Sequence, residues 1–144
     1  MTTLALTTPA TFFVTLPFGA LDSSTATTLR EALGRLVGPA RQLVIDLSGV
    51  RSLDSAGIGV LAGLARRAAA EGGDVKLCGL SRQLAAIAEL VRLDRAFEIF
   101  ATREAAAEAL GADGQGIPTI DLTEARQATR RPLLRRLAAL PSWS

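Results

Sequence analysis

The run Gln42–Leu47, QLVIDL, constrains the fold more than any other segment, because it is apolar at nearly every position, with Asp46 the clear exception. A strand with one wet face alternates apolar and polar residues. This one does not, and so predicts a strand covered on both faces. Thr11–Leu16 (TFFVTL), ending at Pro17, and Asp74–Cys78 (DVKLC) predict two more strands, and Phe97–Phe100 a short last one. Leu4–Thr7 is a candidate partner for the first.

Helical patterns separate these runs. Asp22 or Ser23 can cap a helix in which Leu29, Leu33, Leu36 and Val37 recur at helical spacing until Gly38-Pro39. After the loop SGVRSLD, a helix from Ser55 or Ala56 to Glu71 carries Ile58, Leu61, Ala62, Ala65 and Ala69 on one stripe and closes at Gly72-Gly73. Ser81 can cap a helix bearing Leu84, Ile87, Ala88 and Val91, and a further helix is expected over Thr102–Leu110. Strands alternating with helices of this length predict an α/β fold, a mixed sheet of four to five strands with about four helices. There is no internal repeat. At 144 residues the chain suits one domain, here expected over 1–111. Beyond Leu110, GADGQGIP reads as a linker. The extension 112–144 is basic, with Arg126, Arg130, Arg131, Arg135 and Arg136 and no acid after Glu124. Pro132 would start a short helix through Leu133, Leu134, Leu137 and Leu140, so the extension is expected to be partly helical or disordered.

Composition excludes several functions. A formal charge of +2 is too weak to predict direct binding to nucleic acid. The first 29 residues hold no Lys or Arg, Pro9 and Pro17 interrupt their apolar run, and no stretch of 18 apolar residues occurs; no membrane span and a cytoplasmic location are expected. The single cysteine, Cys78, excludes an intramolecular disulfide and suits a small core position. Without histidine or tyrosine there is no Ser-His-Asp arrangement and no His-based metal site, and neither GxGxxG nor GxxxxGK[ST] is present. No enzyme activity, metal or cofactor is expected of the chain itself.

What remains is RSLDSAGIGVL, Arg51–Leu61. Glycine inside a helix costs about 1 kcal/mol relative to alanine, so Gly57, Gly59 and Gly63 give up roughly 3 kcal/mol of intrinsic helicity. Asp54 or Ser55 can cap the helix. Small residues at 56, 57, 59 and 63 keep its first turns free of bulk, so that another backbone, the protein's own or a partner's, can come close. A serine there is also a potent switch, since phosphorylation adds about 1.5 to 2 negative charges.

The segments LDSSTATTLREAL, LVIDLSGVRSLDSAGIGVLAGLARRAAAEGGDVKLCGLSRQLAAIAELVRLDRAFEIF and TREAAAEAL resemble, over residues 10–111, a STAS domain of the anti-anti-sigma factor (anti-sigma factor antagonist) family. The resemblance implies the STAS fold and places Ser55 at the position phosphorylated by an anti-sigma factor serine kinase. Unphosphorylated protein would bind that kinase and free a sigma factor. Phosphate on Ser55 would block binding until a PP2C-type phosphatase removed it, and ATP and magnesium would belong to the partner. By the same resemblance Asp22, Asp54, Ser55, Ala56, Gly57 and Gly59 form the partner-binding face. Caps and helix packing are the alternative roles of the aspartates and glycines. The sequence departs from the family at Ala56, where a second Ser or Thr is common, at Ala20, where an acid is often found, and in its extension. A constitutive STAS scaffold or transporter-accessory protein is the alternative function, and a small-ligand sensor a third.

Overall fold

The computed structural model describes residues 10–111 and 117–122. In chain order the elements are β1 (Ala10–Thr15), β2 (Ala20–Leu21), α1 (Ser23–Gly34), β3 (Arg41–Asp46), β4 (Ser52–Leu53), α2 (Ser55–Glu71), β5 (Asp74–Cys78), α3 (Arg82–Leu90), α4 (Leu93–Ala96), β6 (Ile99–Phe100), α5 (Arg103–Ala109) and β7 (Thr119–Asp121). Five strands form the main sheet in the order β6-β5-β3-β1-β7, and β2 pairs with β4 in a separate two-stranded ribbon.

Every strand pairing among the described residues is parallel. The expected mixed sheet is therefore, over these residues, a purely parallel one. The connections suit it: helices lie between successive strands of the main sheet, and a helical crossover is what returns the chain to start a parallel strand. Leu4–Thr7 lies outside the described residues. β1 instead has β3 on one side and, from Phe13 to Thr15, β7 on the other. β7 thus draws TID, read above as part of the extension, into the sheet.

The central strands are buried on both faces, as their unbroken apolar runs require. On one face Phe12, Val14, Leu43, Ile45, Val75 and Leu77 pack with Leu29 and Leu33 of α1, Leu61 of α2, Leu84 of α3 and Leu93 of α4. The opposite face carries a smaller cluster in which Phe13, Val44 and Cys78 meet Ala106 and Ala107 of α5. Cys78 is fully buried, and burial, reinforced by the Asp46 charge, pushes its thiol up to about 12. It is a core residue.

Asp46, the polar exception in QLVIDL, fastens α5 to this second face. One carboxylate oxygen accepts from Arg103 Nε at 2.8 Å, and the other accepts from the Ser48 amide at 2.9 Å. Arg103 also donates to the Thr15 hydroxyl at 2.8 Å and stacks over the Phe13 ring at 5.0 Å. Burial alone would raise the Asp46 pKa. The bonds from Arg103 and Ser48 outweigh it and hold the carboxyl below its ordinary value. Lys76, the chain's one lysine, is buried between Asp74 and Glu98, and those two carboxylates overcome its desolvation and raise its pKa.

Candidate functional site

The chain leaves the carboxyl ends of β1 and β3 by two short loops, and each loop ends in one strand of the ribbon. Arg51 and Ser52 amides donate to the Gly19 carbonyl, and the Asp54 amide donates to that of Leu21, so the two loops are bound to each other by backbone. Neither two-residue strand was legible as such, since each reads as loop; what they share is the tripeptide Leu-Asp-Ser, at 21–23 and at 53–55. Parallel register sets Leu21 opposite Leu53. The following residue in each case is a helix N-cap, and the one after that is the first residue of a helix.

Asp22 caps α1 by accepting from the Ser24 amide at 2.9 Å and the Ser24 hydroxyl at 2.6 Å, while the Thr25 hydroxyl accepts from the Asp22 amide. These bonds, the Ser24 hydroxyl first, hold the Asp22 carboxyl below its ordinary pKa. Asp54 caps α2, one of its oxygens accepting from the amides of Ala56 at 2.9 Å and Gly57 at 3.1 Å. The choice left open between Asp54 and Ser55, and between Asp22 and Ser23, falls on the aspartate both times. A carboxylate is also the better acceptor at the positive end of a helix dipole.

With Asp54 in the cap, Ser55 is left at the first helical position, exposed, and its hydroxyl makes no hydrogen bond among the described residues. Ala56 is half-buried against the main core. The glycines separate. Gly57 is buried against the ribbon: a Cβ there would run into the Leu21 carbonyl oxygen and lie 2.7 Å from Leu21 Cβ and 2.8 Å from the Leu21 carbonyl carbon. Its bareness is used internally, to seat α2 on β2. Gly59 is exposed and a Cβ on it would meet nothing within 4 Å. It opens instead onto a shallow groove of about 200 Å³ between α1 and α2, lined by Arg30, Gly59, Val60, Gly63, Leu64 and Arg67. That Arg30 and Arg67 wall one groove cannot be read from the sequence; only the packing of α1 on α2 brings them together.

In the site two helix starts therefore follow directly from the paired strands of the ribbon, Asp22 and Asp54 capping them, Ser23 and Ser55 exposed at their first positions. Among the described residues no group of three or more His, Cys, Asp or Glu side chains could hold a metal ion, and no helix is long and apolar enough to cross a membrane. A face of this kind can present hydroxyls and a small-residue surface to another protein.

Known structures share this architecture. A candidate anti-sigma factor antagonist from Thermotoga maritima superposes with a TM-score of 0.59 at 23% identity, over 68% of this chain and 87% of that one. An anti-sigma-factor antagonist (STAS) domain protein from Planctomyces limnophilus gives 0.52 at 24% identity, over 60% and 74%. The STAS domain of a SulP transporter from Vibrio cholerae gives 0.56 at 18% identity, over 68% and 79%. At these identities the likeness is one of fold. The family model described as "STAS domain" matches residues 5–106, well over half of the sequence. The chain belongs to the STAS domain family.

Proposed function

We propose that this protein is an anti-sigma factor antagonist: it binds an anti-sigma factor kinase through the face around Asp22, Asp54, Ser55, Ala56 and Gly59, releases a sigma factor, and is switched off by phosphorylation of Ser55. The observation that carries the reading is the exposed Ser55 hydroxyl at the first turn of α2, without a hydrogen bond among the described residues, with Asp54 already occupying the cap. A hydroxyl committed to capping would not be free to accept a phosphoryl group. Gly57 contributes from beneath, by setting the height of α2.

Phosphate at this place would act on the partner and leave the fold intact. The first turn of a helix tolerates negative charge, by roughly 0.3 to 1 kcal/mol in its favour, although the Asp54 carboxylate beside it offsets part of that. A partner surface packed flat against the same turn would have to desolvate the dianion. A PP2C-type phosphatase would restore binding, and ATP and magnesium would be bound by the kinase.

The SulP transporter domain, similar to this chain about as closely as the antagonists are, supports a second reading, a constitutive scaffold in which the same face holds a permanent partner. Titration of purified Ser55→Ala and Ser55→Asp variants against the cognate anti-sigma factor separates the two. The switched module predicts wild-type affinity for Ser55→Ala and at least about a tenfold loss, 1.4 kcal/mol, for Ser55→Asp. Equal affinity of both variants sinks the switch and leaves the scaffold.

A further inference from the structure

Two surface hollows lie at the C-terminal end of α3, and they share two acidic walls. One, of about 290 Å³, is lined by Ala85, Ala86 and Ala88 of α3, Ile99 of β6, and the side chains of Glu89 and Asp94. The other, of about 460 Å³, shares Glu89 and Asp94 and adds Leu90, Arg92 and Arg95. Leu90 is 81% exposed and Val91, beside it, 42%; they are the large hydrophobic side chains that the described residues leave to solvent. Neither Glu89 nor Asp94 enters an ion pair among the described residues. An apolar hollow with a bare leucine next to it and two unpaired carboxylates on its rim suits a segment that is both apolar and cationic.

The chain supplies such a segment. Residues 123–144 lie outside the described ones, and after Glu124 their sequence holds Arg126, Arg130, Arg131, Arg135 and Arg136 and no acid. A helix begun by Pro132 would set Leu133, Leu137 and Leu140 on one face, with Arg136 at its border. Reach permits the contact. The described chain ends at Leu122, whose amide donates to the Thr15 carbonyl just past β7, and β7 and β6 lie at opposite ends of the described sheet. Four strand spacings are about 19 Å, whereas residues 123–131, extended, span up to about 30 Å. Charge chooses between the hollows: the groove walled by Arg30 and Arg67 repels an arginine-rich segment, and the rim of Glu89 and Asp94 attracts one.

We propose that residues 132–140 dock on their own domain at the C-terminal end of α3, their leucines over Leu90 and the alanine-lined hollow, their arginines toward Glu89 and Asp94. The proposal is independent of the reading of Ser55. Tethering makes it feasible: a segment joined to its site by a short linker meets it at millimolar effective concentration, so a contact too weak to hold two separate molecules still closes within one. The charged part of the contact is exposed and is screened by salt, which gives the docking a distinctive signature.

The test is trypsin cleavage of the full chain under native conditions, following the cuts after Arg135 and Arg136 by mass spectrometry, for wild type, Glu89→Gln/Asp94→Asn and Leu90→Asp. All three positions are exposed and none lies in the segment being cut, so with unchanged urea midpoints an altered rate reports docking alone. Cleavage of a segment that opens and closes rapidly tracks its open population. The expected result is cleavage at least about fivefold faster in both variants than in wild type, with the wild-type rate rising toward theirs as sodium chloride is added. Equal rates in all three proteins overturn the proposal. Faster cleavage in Leu90→Asp without an effect of the carboxylate pair overturns it too, since charge would not then seat the segment. Wild-type protection that disappears on dilution of the protein at constant trypsin assigns the cover to a second copy, and protection that appears only with vesicles of anionic lipid assigns the arginines to a membrane surface; either overturns docking within the chain.

Discussion

Gly57→Ala is expected to destabilise the domain by about 2 kcal/mol or more, whereas Gly59→Ala, two residues further along the helix, is expected to stabilise it by about 0.5 to 1 kcal/mol. Both substitutions remove the same backbone entropy from the unfolded chain and gain the same helix propensity. They differ in what the new methyl group meets. At 57 it would collide with the carbonyl group and Cβ of Leu21, and the former is backbone tied to β4 through the Asp54 amide. Relief requires α2 to lift off the ribbon or β2 to part from β4. At 59 the methyl group points into open space. Urea unfolding at constant slope would report the two signs directly. Stabilisation by both alanines would mean that α2 stands further from β2 than described here.

Asp46→Ala is expected to cost about 2 kcal/mol, because it removes a charge-assisted hydrogen bond to Arg103 and the bond to the Ser48 amide. Arg103 would keep only the hydroxyls of Thr15 and Thr119 and the face of Phe13, none of which balances its charge. The effect has a defined pH dependence. The folded-state pKa of Asp46 lies below the ordinary 3.8, so the native state favours the ionised form more than the unfolded chain does. The stability that the carboxylate contributes is therefore fully present above the unfolded value and disappears as pH falls through the folded one. The gap between wild type and Asp46→Ala should be constant near neutrality and shrink below about pH 4. A gap that widened on acidification would assign the stabilisation to another group.

The large elements were legible because each is specified locally. QLVIDL has no polar stripe, DVKLC is bracketed by Gly-Gly and Gly, and Asp22, Ser81 and Thr102 all cap the helices that follow them. Gly72, at φ 81°, ends α2 in the left-handed conformation that glycine adopts without cost. The ribbon was not legible. Two residues are too few to show a period, and Ala20–Leu21 and Ser52–Leu53 become strands only because they find each other 32 positions apart. β7 was hidden for the same reason, behind a glycine-rich linker.

The candidate site divides along the same line. Asp54 and Ser55 stood out by residue type at the start of a helix, and the structure assigns the cap to Asp54 and leaves Ser55 exposed, without a hydrogen bond among the described residues. Gly57 and Gly59 looked equivalent in GIG, and only tertiary packing tells the internal contact from the open one. Arg103 gave no signal at all: its meaning depends on Asp46, 57 positions earlier, and on the short helix that carries it across the sheet.

The position of Cys78 has a practical side. The sole sulfhydryl of the chain lies at the carboxyl end of β5 on the sheet's second face, packed with Ala106 and Ala107, with a thiol too weakly acidic to form thiolate near neutral pH. A thiol-specific reagent reaches it only when α5 comes away. The chain thus carries an intrinsic probe whose rate of modification counts the openings of its thinnest layer, with no label added and no residue changed.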